Sequence, residues 1–141
     1  MLSGTMDGGA WGTWTAIALG SAAGGLLRQL MTEAITQLAG GSFPWGTLAV
    51  NVCGSAAMGA CAALSMAAVP SSWSPVARHA TMTGVLGGFT TFSTFSMQTM
   101  ALVHQGQWWA AAANVLASVA LSVLFCGVGY ASVSAAVATL R

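Results

Sequence analysis

The sequence predicts an all-α membrane protein whose subunit crosses the bilayer four times. Composition and the spacing of turn signals carry that reading. Of 141 residues, 56% are hydrophobic and 4% charged, against about 25% charged in a soluble domain. A water-facing surface cannot be assembled from three Lys+Arg and two Asp+Glu, so most of the exterior must meet lipid. The length suits one domain with about four spans of ~20 residues. Arg28, Arg78 and Arg141 stand far apart and the formal net charge is +1, so there is no basic patch and nucleic-acid binding is excluded.

Residues 1–10 (MLSGTMDGGA) read as a disordered leader, and residues 11–141 as a single four-helix domain. The leader has no positively charged stretch and contains Asp7, which argues against a cleavable signal peptide. The first apolar run starts near Trp11 and reaches about Leu38, broken by Arg28 and Glu33. After the turn signal GGSFPW (40–45), the second extends from about Thr47 to Val69. PSSWSP (70–75) is the next loop, with Trp73 at interfacial depth. The third run covers about Val76 to Val103, and the fourth opens at Trp108-Trp109 and fades near Leu140. Short loops make consecutive helices antiparallel neighbours. Gly20xxxGly24, Ser55xxxGly59 and Ala56xxxAla60 place small residues on one face, which lets backbones approach closely in lipid. Cys53, Cys61 and Cys126 lie in apolar runs without CxxC spacing and read as small helix residues.

The third run departs from the others. GVLGGFTTFSTFSMQ (84–98) joins three glycines to interleaved hydroxyls and phenylalanines at what should be mid-membrane depth. Each glycine lowers helix propensity by about 1 kcal/mol relative to alanine. Thr90 and Thr91 can compete for nearby carbonyls. The pattern predicts a helix broken between about Gly87 and Thr91. Irregular backbone is tolerated in a bilayer only where protein buries it or it lines a polar cavity.

Two polar stripes accompany the break. Thr47, Asn51 and Ser55 share one face of the second helix, and Asn114, Ser118 and Ser122 share one face of the fourth. For each group interhelical hydrogen bonding is one reading and a shared polar track is the other. The track has no carboxylate, and its amides and hydroxyls donate protons, which suits a desolvated anion better than a cation. Phe92 and Phe95 lie one turn apart, beside Ser93 and Thr94. They are packing residues, or rings whose positive edges face a small anion. Arg28 either snorkels to the headgroups or lends positive potential to a pore mouth. The three arginines are spread over both sides, too few for the positive-inside rule to set one orientation, so the chain is expected to insert both ways round.

GSAAGGLLRQL (20–30), FPWGTLAVNVCG (43–54) and GGFTTFSTFS (87–96) resemble signature stretches of the Fluc/CrcB fluoride channels, and the likeness covers about Gly20 to Leu124. It implies a passive fluoride exporter of the cell inner (plasma) membrane, multi-pass, built as an antiparallel, dual-topology homodimer with pores at the interface. By the same resemblance, Phe92 and Phe95 match the pore phenylalanines and Asn51 the asparagine at the top of the ion path. Ser118, Ser122 and Thr47 match track positions, and Arg28 matches a vestibule arginine. Gly87 and Thr90 match residues whose carbonyls hold a structural sodium ion (Na+). Two positions depart: Gln98 stands where many relatives have glutamate, and Asn114 where some have tyrosine.

Two other classes compete with this reading. A small dual-topology exchanger, drug/proton or fluoride/proton, needs an ionisable group deep in the membrane, and the chain's carboxylates are only Asp7 and Glu33. A non-catalytic or haem-anchoring subunit fits poorly, because His79 and His104 sit about 37 Å apart along one span at 1.5 Å per residue. No nucleophile–base pair or metal-ligand cluster suggests an enzyme.

Overall fold

The structure is a computed structural model that describes residues 8–67 and 73–139. Positions 1–7 of the expected leader, 70–72 of the expected PSSWSP loop, and Leu140 and Arg141 lie outside the described residues. Helix α1 covers Gly8–Ala39 and α2 covers Trp45–Met66. The third segment begins with α3 (Pro75–His79), continues through a π-helical stretch (Ala80–Leu86) and ends at α4 (Gly87–Phe89). Helix α5 (Phe92–His104) and helix α6 (Trp108–Thr139) complete the chain. Among the described residues there is no strand.

The boundaries follow local chemistry. Helix α1 starts inside the expected leader, because extending an existing helix over Gly8–Ala10 is far easier than nucleating one. Gly40 and Gly41 leave it with φ of 61° and 77°, the left-handed conformation that side chains disfavour. Ser74 caps α3 by accepting from Ala77 N–H at 3.1 Å, with Pro75 at the first helical position. Ser42 Oγ donates to Gln107 Oε1 at 3.2 Å, so the α1–α2 and α5–α6 turns share one end of the bundle.

Packing is set by glycine. Helix α2 makes its broadest contact with α6, while α1 lies along the π-helical stretch and α4. At Gly59 a side chain would strike the Cys126 carbonyl, and at Gly24 the Val85 carbonyl. Such close backbone approach substitutes for the hydrophobic drive that lipid removes. By length and composition α2 and α6 are each able to cross a membrane. Helix α1 carries Arg28 and Glu33, and the third segment is divided into shorter helices.

Candidate functional site

The third segment is interrupted at two threonines. Thr90 (φ −76°, ψ 155°) and Thr91 (φ −150°, ψ 116°) are extended between α4 and α5. Gly87 and Gly88 remain helical, so the interruption follows the glycines instead of falling on them. Its chemistry is that of a helix stop and a fresh start. Thr90 N–H and Thr90 Oγ1 both donate to the Leu86 carbonyl at 3.0 Å, closing the upstream helix. Thr91 caps α5: its Oγ1 accepts from Thr94 N–H at 3.2 Å and donates to Thr94 Oγ1 at 3.0 Å.

Asn51, on α2, reaches across to this stretch with both ends of its amide. Its Oδ1 accepts from Thr91 N–H at 2.8 Å, and its Nδ2 donates to the Thr91 carbonyl at 3.0 Å. At the Gly87 and Thr90 carbonyls the N–H that an unbroken helix would supply is held by another acceptor. The N–H four residues beyond Gly87 is that of Thr91, held by Asn51. The N–H four residues beyond Thr90 is that of Thr94, held by the Thr91 hydroxyl.

A cavity of about 350 Å³ lies against this interruption. Asn51, Thr90, Thr91, Phe92, Phe95, Ser118 and Ser122 line it, together with Gly54, Ser55 and the apolar Met58, Val119 and Val123. No lining residue carries a charge. Phe95 is 7% exposed and Phe92 75% exposed, their ring centroids 5.2 Å apart at an interplanar angle of 54°.

The structure thus brings Asn51, Phe92, Phe95, Ser118 and Ser122 to one cavity, with the Thr90 backbone beside them. It assigns other candidates elsewhere. The Thr94 hydroxyl serves the α5 cap, and Ser93 Oγ lies 3.3 Å from Thr91 Oγ1. Asn114 is 1% exposed and joins α6 to α5: its Nδ2 donates to Thr99 Oγ1 at 2.8 Å, and Ser118 Oγ donates to its Oδ1 at 3.4 Å. Thr99 Oγ1 donates onward to the Phe95 carbonyl at 2.8 Å. Thr47 is 3% exposed, and its Oγ1 finds no partner; the buried Gln98 Oε1 has none either. Arg28 is half-buried on α1, outside the cavity lining, and on the same helix Glu33 accepts from Gln29 Nε2 at 2.7 Å.

Thr91 and Thr99 are the residues that sequence reasoning left out of the site. For Thr91 a signal existed, a threonine immediately before a helical run with a partner three residues on. For Thr99 there was none, since its role depends on α6 lying against α5. Cys53, Cys61 and Cys126 are free thiols. Among the described residues no group of three or more His, Cys, Asp or Glu could hold a metal.

Comparison with known proteins bears on the whole arrangement. The sequence profile of the CrcB-like protein family (Camphor Resistance, CrcB) matches residues 15–130. The chain is similar to the "Fluoride-specific ion channel FluC" of Paramagnetospirillum magneticum (strain AMB-1), with 48% identity over 122 residues, 84% of this chain and 92% of the relative. The protein of the same name from Roseiflexus sp. (strain RS-1) is 47% identical over 120 residues, 84% of this chain and 95% of the relative. That from Rhodospirillum rubrum is 44% identical over 121 residues, 83% of this chain and 88% of the relative. With its apolar helices and a family match across most of its length, the chain is a membrane protein and belongs to the CrcB-like family.

Proposed function

We propose that the chain is the subunit of a fluoride-selective channel that lets fluoride leave the cell passively. In this reading four transmembrane segments per subunit cross the cell inner (plasma) membrane, the third broken at mid-depth. Two subunits pair antiparallel, and pores form at their interface.

One observation carries the reading. The cavity beside the interruption is lined by proton donors and phenylalanine rings, without a charged side chain, and the 75% exposed Phe92 stands at its side. Hydroxyl and amide groups in a cavity facing lipid would be left unsatisfied, so a second copy covering that face is the simplest completion. The relatives' names point to the same ion.

The mechanism follows from the lining. Fluoride holds its water tightly, so entry requires donors that replace the hydration shell. The Ser122 hydroxyl and the second Nδ2 proton of Asn51 supply them, and Ser118 joins when its hydroxyl turns away from Asn114 Oδ1. Ring edges of Phe92 and Phe95 add weak positive potential where hydroxyls are absent. With no fixed cation in the lining, binding stays weak enough for release. Thr47, one turn before Asn51 on α2, is buried outside the cavity lining with its hydroxyl unpartnered, and in this reading it extends the path beyond the cavity. Proton-coupled exchange would need a carboxylate in the cavity. Glu33, the only one among the described residues, lies exposed on α1, so passive flow is favoured over the exchanger.

A structural sodium ion belongs to the proposal, held by the Gly87 and Thr90 carbonyls of both subunits. Supporting it, at both carbonyls the N–H that an unbroken helix would supply is held by another acceptor, and uncharged oxygens of this kind suit a hard cation. When bound, the ion supplies positive charge and ties the two subunits together.

Proteoliposomes containing the purified protein, with a potassium ionophore to carry the countercurrent, should release fluoride and retain chloride. Comparable chloride release, or a strict requirement for a proton gradient, overturns the proposal.

A further inference from the structure

An asparagine at the top of an ion path is expected to offer its amide to the ion, yet here most of the amide is engaged by the backbone. Oδ1 takes Thr91 N–H at 2.8 Å and Nδ2 gives one proton to the Thr91 carbonyl at 3.0 Å. This paired contact on one residue's N–H and C=O is the pattern one strand offers another, supplied by a side chain. Few side chains can do it, since the group must accept and donate in one plane at short reach.

We propose that Asn51 is the positioning residue of the helix interruption, a clamp that holds Thr91 extended and thereby leaves the Gly87 carbonyl free to ligate a cation. The second half of this statement rests on the sodium site proposed above; the first does not. The logic is one of competition for a single donor. In an unbroken helix Thr91 N–H would close on the Gly87 carbonyl. Bound to Asn51, it cannot do so, and Gly87 keeps an oxygen without its helical partner. The clamp also sets the direction of α5, because Thr91 is its N-cap and Phe92 and Phe95 occupy its first turn. One side chain on α2 thus governs both the backbone oxygens and the ring pair.

Hydrogen exchange at Thr91 N–H in the full-length reconstituted protein separates this role from that of an ion ligand, which would not protect a backbone amide. Asn51→Ala should raise the exchange rate about tenfold or more, the scale expected when a protecting partner is removed. Ser122→Ala removes a cavity hydroxyl without touching either bond, and should leave that rate unchanged. Asn51→Asp adds a second readout. An ionised carboxylate accepts from Thr91 N–H but repels the Thr91 carbonyl, whereas the protonated acid can make both bonds. Its exchange rate relative to the unaltered protein at the same pH should fall as the pH is lowered, and no other lining residue titrates. In parallel, thermal stability is compared in sodium and in N-methylglucamine. The sodium-dependent rise in Tm should be present in the unaltered protein and lost in Asn51→Ala. Unchanged Thr91 exchange in Asn51→Ala, or an equal rise in Ser122→Ala, overturns the clamp. A sodium response retained in Asn51→Ala overturns the coupling to Gly87. If the unaltered protein shows no sodium response at all, the sodium reading fails and the coupling with it, while the exchange result still decides the clamp.

Discussion

Phe92 and Phe95 sit one turn apart on α5 in opposite environments: Phe95 packs inside the subunit, and Phe92 projects from it. Their rings remain 5.2 Å apart, so the exposed ring stays in contact range of the inner one. Isoleucine at either position keeps a comparable apolar volume and removes the ring edge. Phe92→Ile should therefore lower fluoride efflux at least about tenfold, with the size-exclusion profile of the purified protein unchanged. Normal efflux would reduce Phe92 to a packing residue. Asn114 teaches a different lesson. Its spacing with Ser118 and Ser122 placed it on the same stripe, yet it lies deeper, and its amide bridges α6 to Thr99 on α5. The stripe divides along its length: Asn114 makes an interhelical bond, while Ser118 and Ser122 line the cavity.

Elements explain why the interruption stays local. The segment before it is anchored along α1 by glycines, and Gly24 meets the Val85 carbonyl so closely that no side chain fits. The segment after it is anchored to α6 through Asn114 and Thr99. Two anchored rods with a short extended joint between them cannot slide into one continuous helix without breaking both contacts. Overpacking a close contact costs about 1–3 kcal/mol or more when the opposing atom is backbone. Gly24→Val should accordingly lower Tm in detergent by several degrees. Gly25, whose nearest neighbour is the end of the Arg28 side chain at 3.9 Å, should accept alanine with little change. Both substitutions raise helix propensity, so an unchanged or higher Tm in Gly24→Val would mean that the close contact does not set the effect. The sequence pattern pointed to Gly87–Thr91 as a region, and the extended residues within it are Thr90 and Thr91. Propensity favours a break at the glycines, whereas Asn51 on a distant helix selects Thr91 by offering it a better partner.

At the scale of the whole molecule, charge decides orientation. Arg28 within α1 and Arg78 within α3 are the described arginines. The proposed antiparallel pair requires that their topological biases largely cancel. An engineered cysteine in the Gly40–Phe43 turn, in a background lacking the three native thiols, should be labelled by an impermeant reagent from both sides of the membrane. Labelling from one side alone would rule out an antiparallel pair made by dual insertion.

The sequence by itself determined the things that depend on composition and short-range chemistry. Few charges and long apolar runs dictate helices that shed water, and glycine–proline punctuation sets where they turn. Donor residues without carboxylates restrict what the polar face can bind. The tertiary structure decided which of those residues meet. Asn51 and Thr91 are 40 positions apart, and Asn114 and Thr99 are 15, so their partnerships depend on how rods of glycine-lined backbone settle against one another. A helical stripe specifies a face, but only the neighbouring helix determines whether a side chain on that face ends in a cavity or in a hydrogen bond.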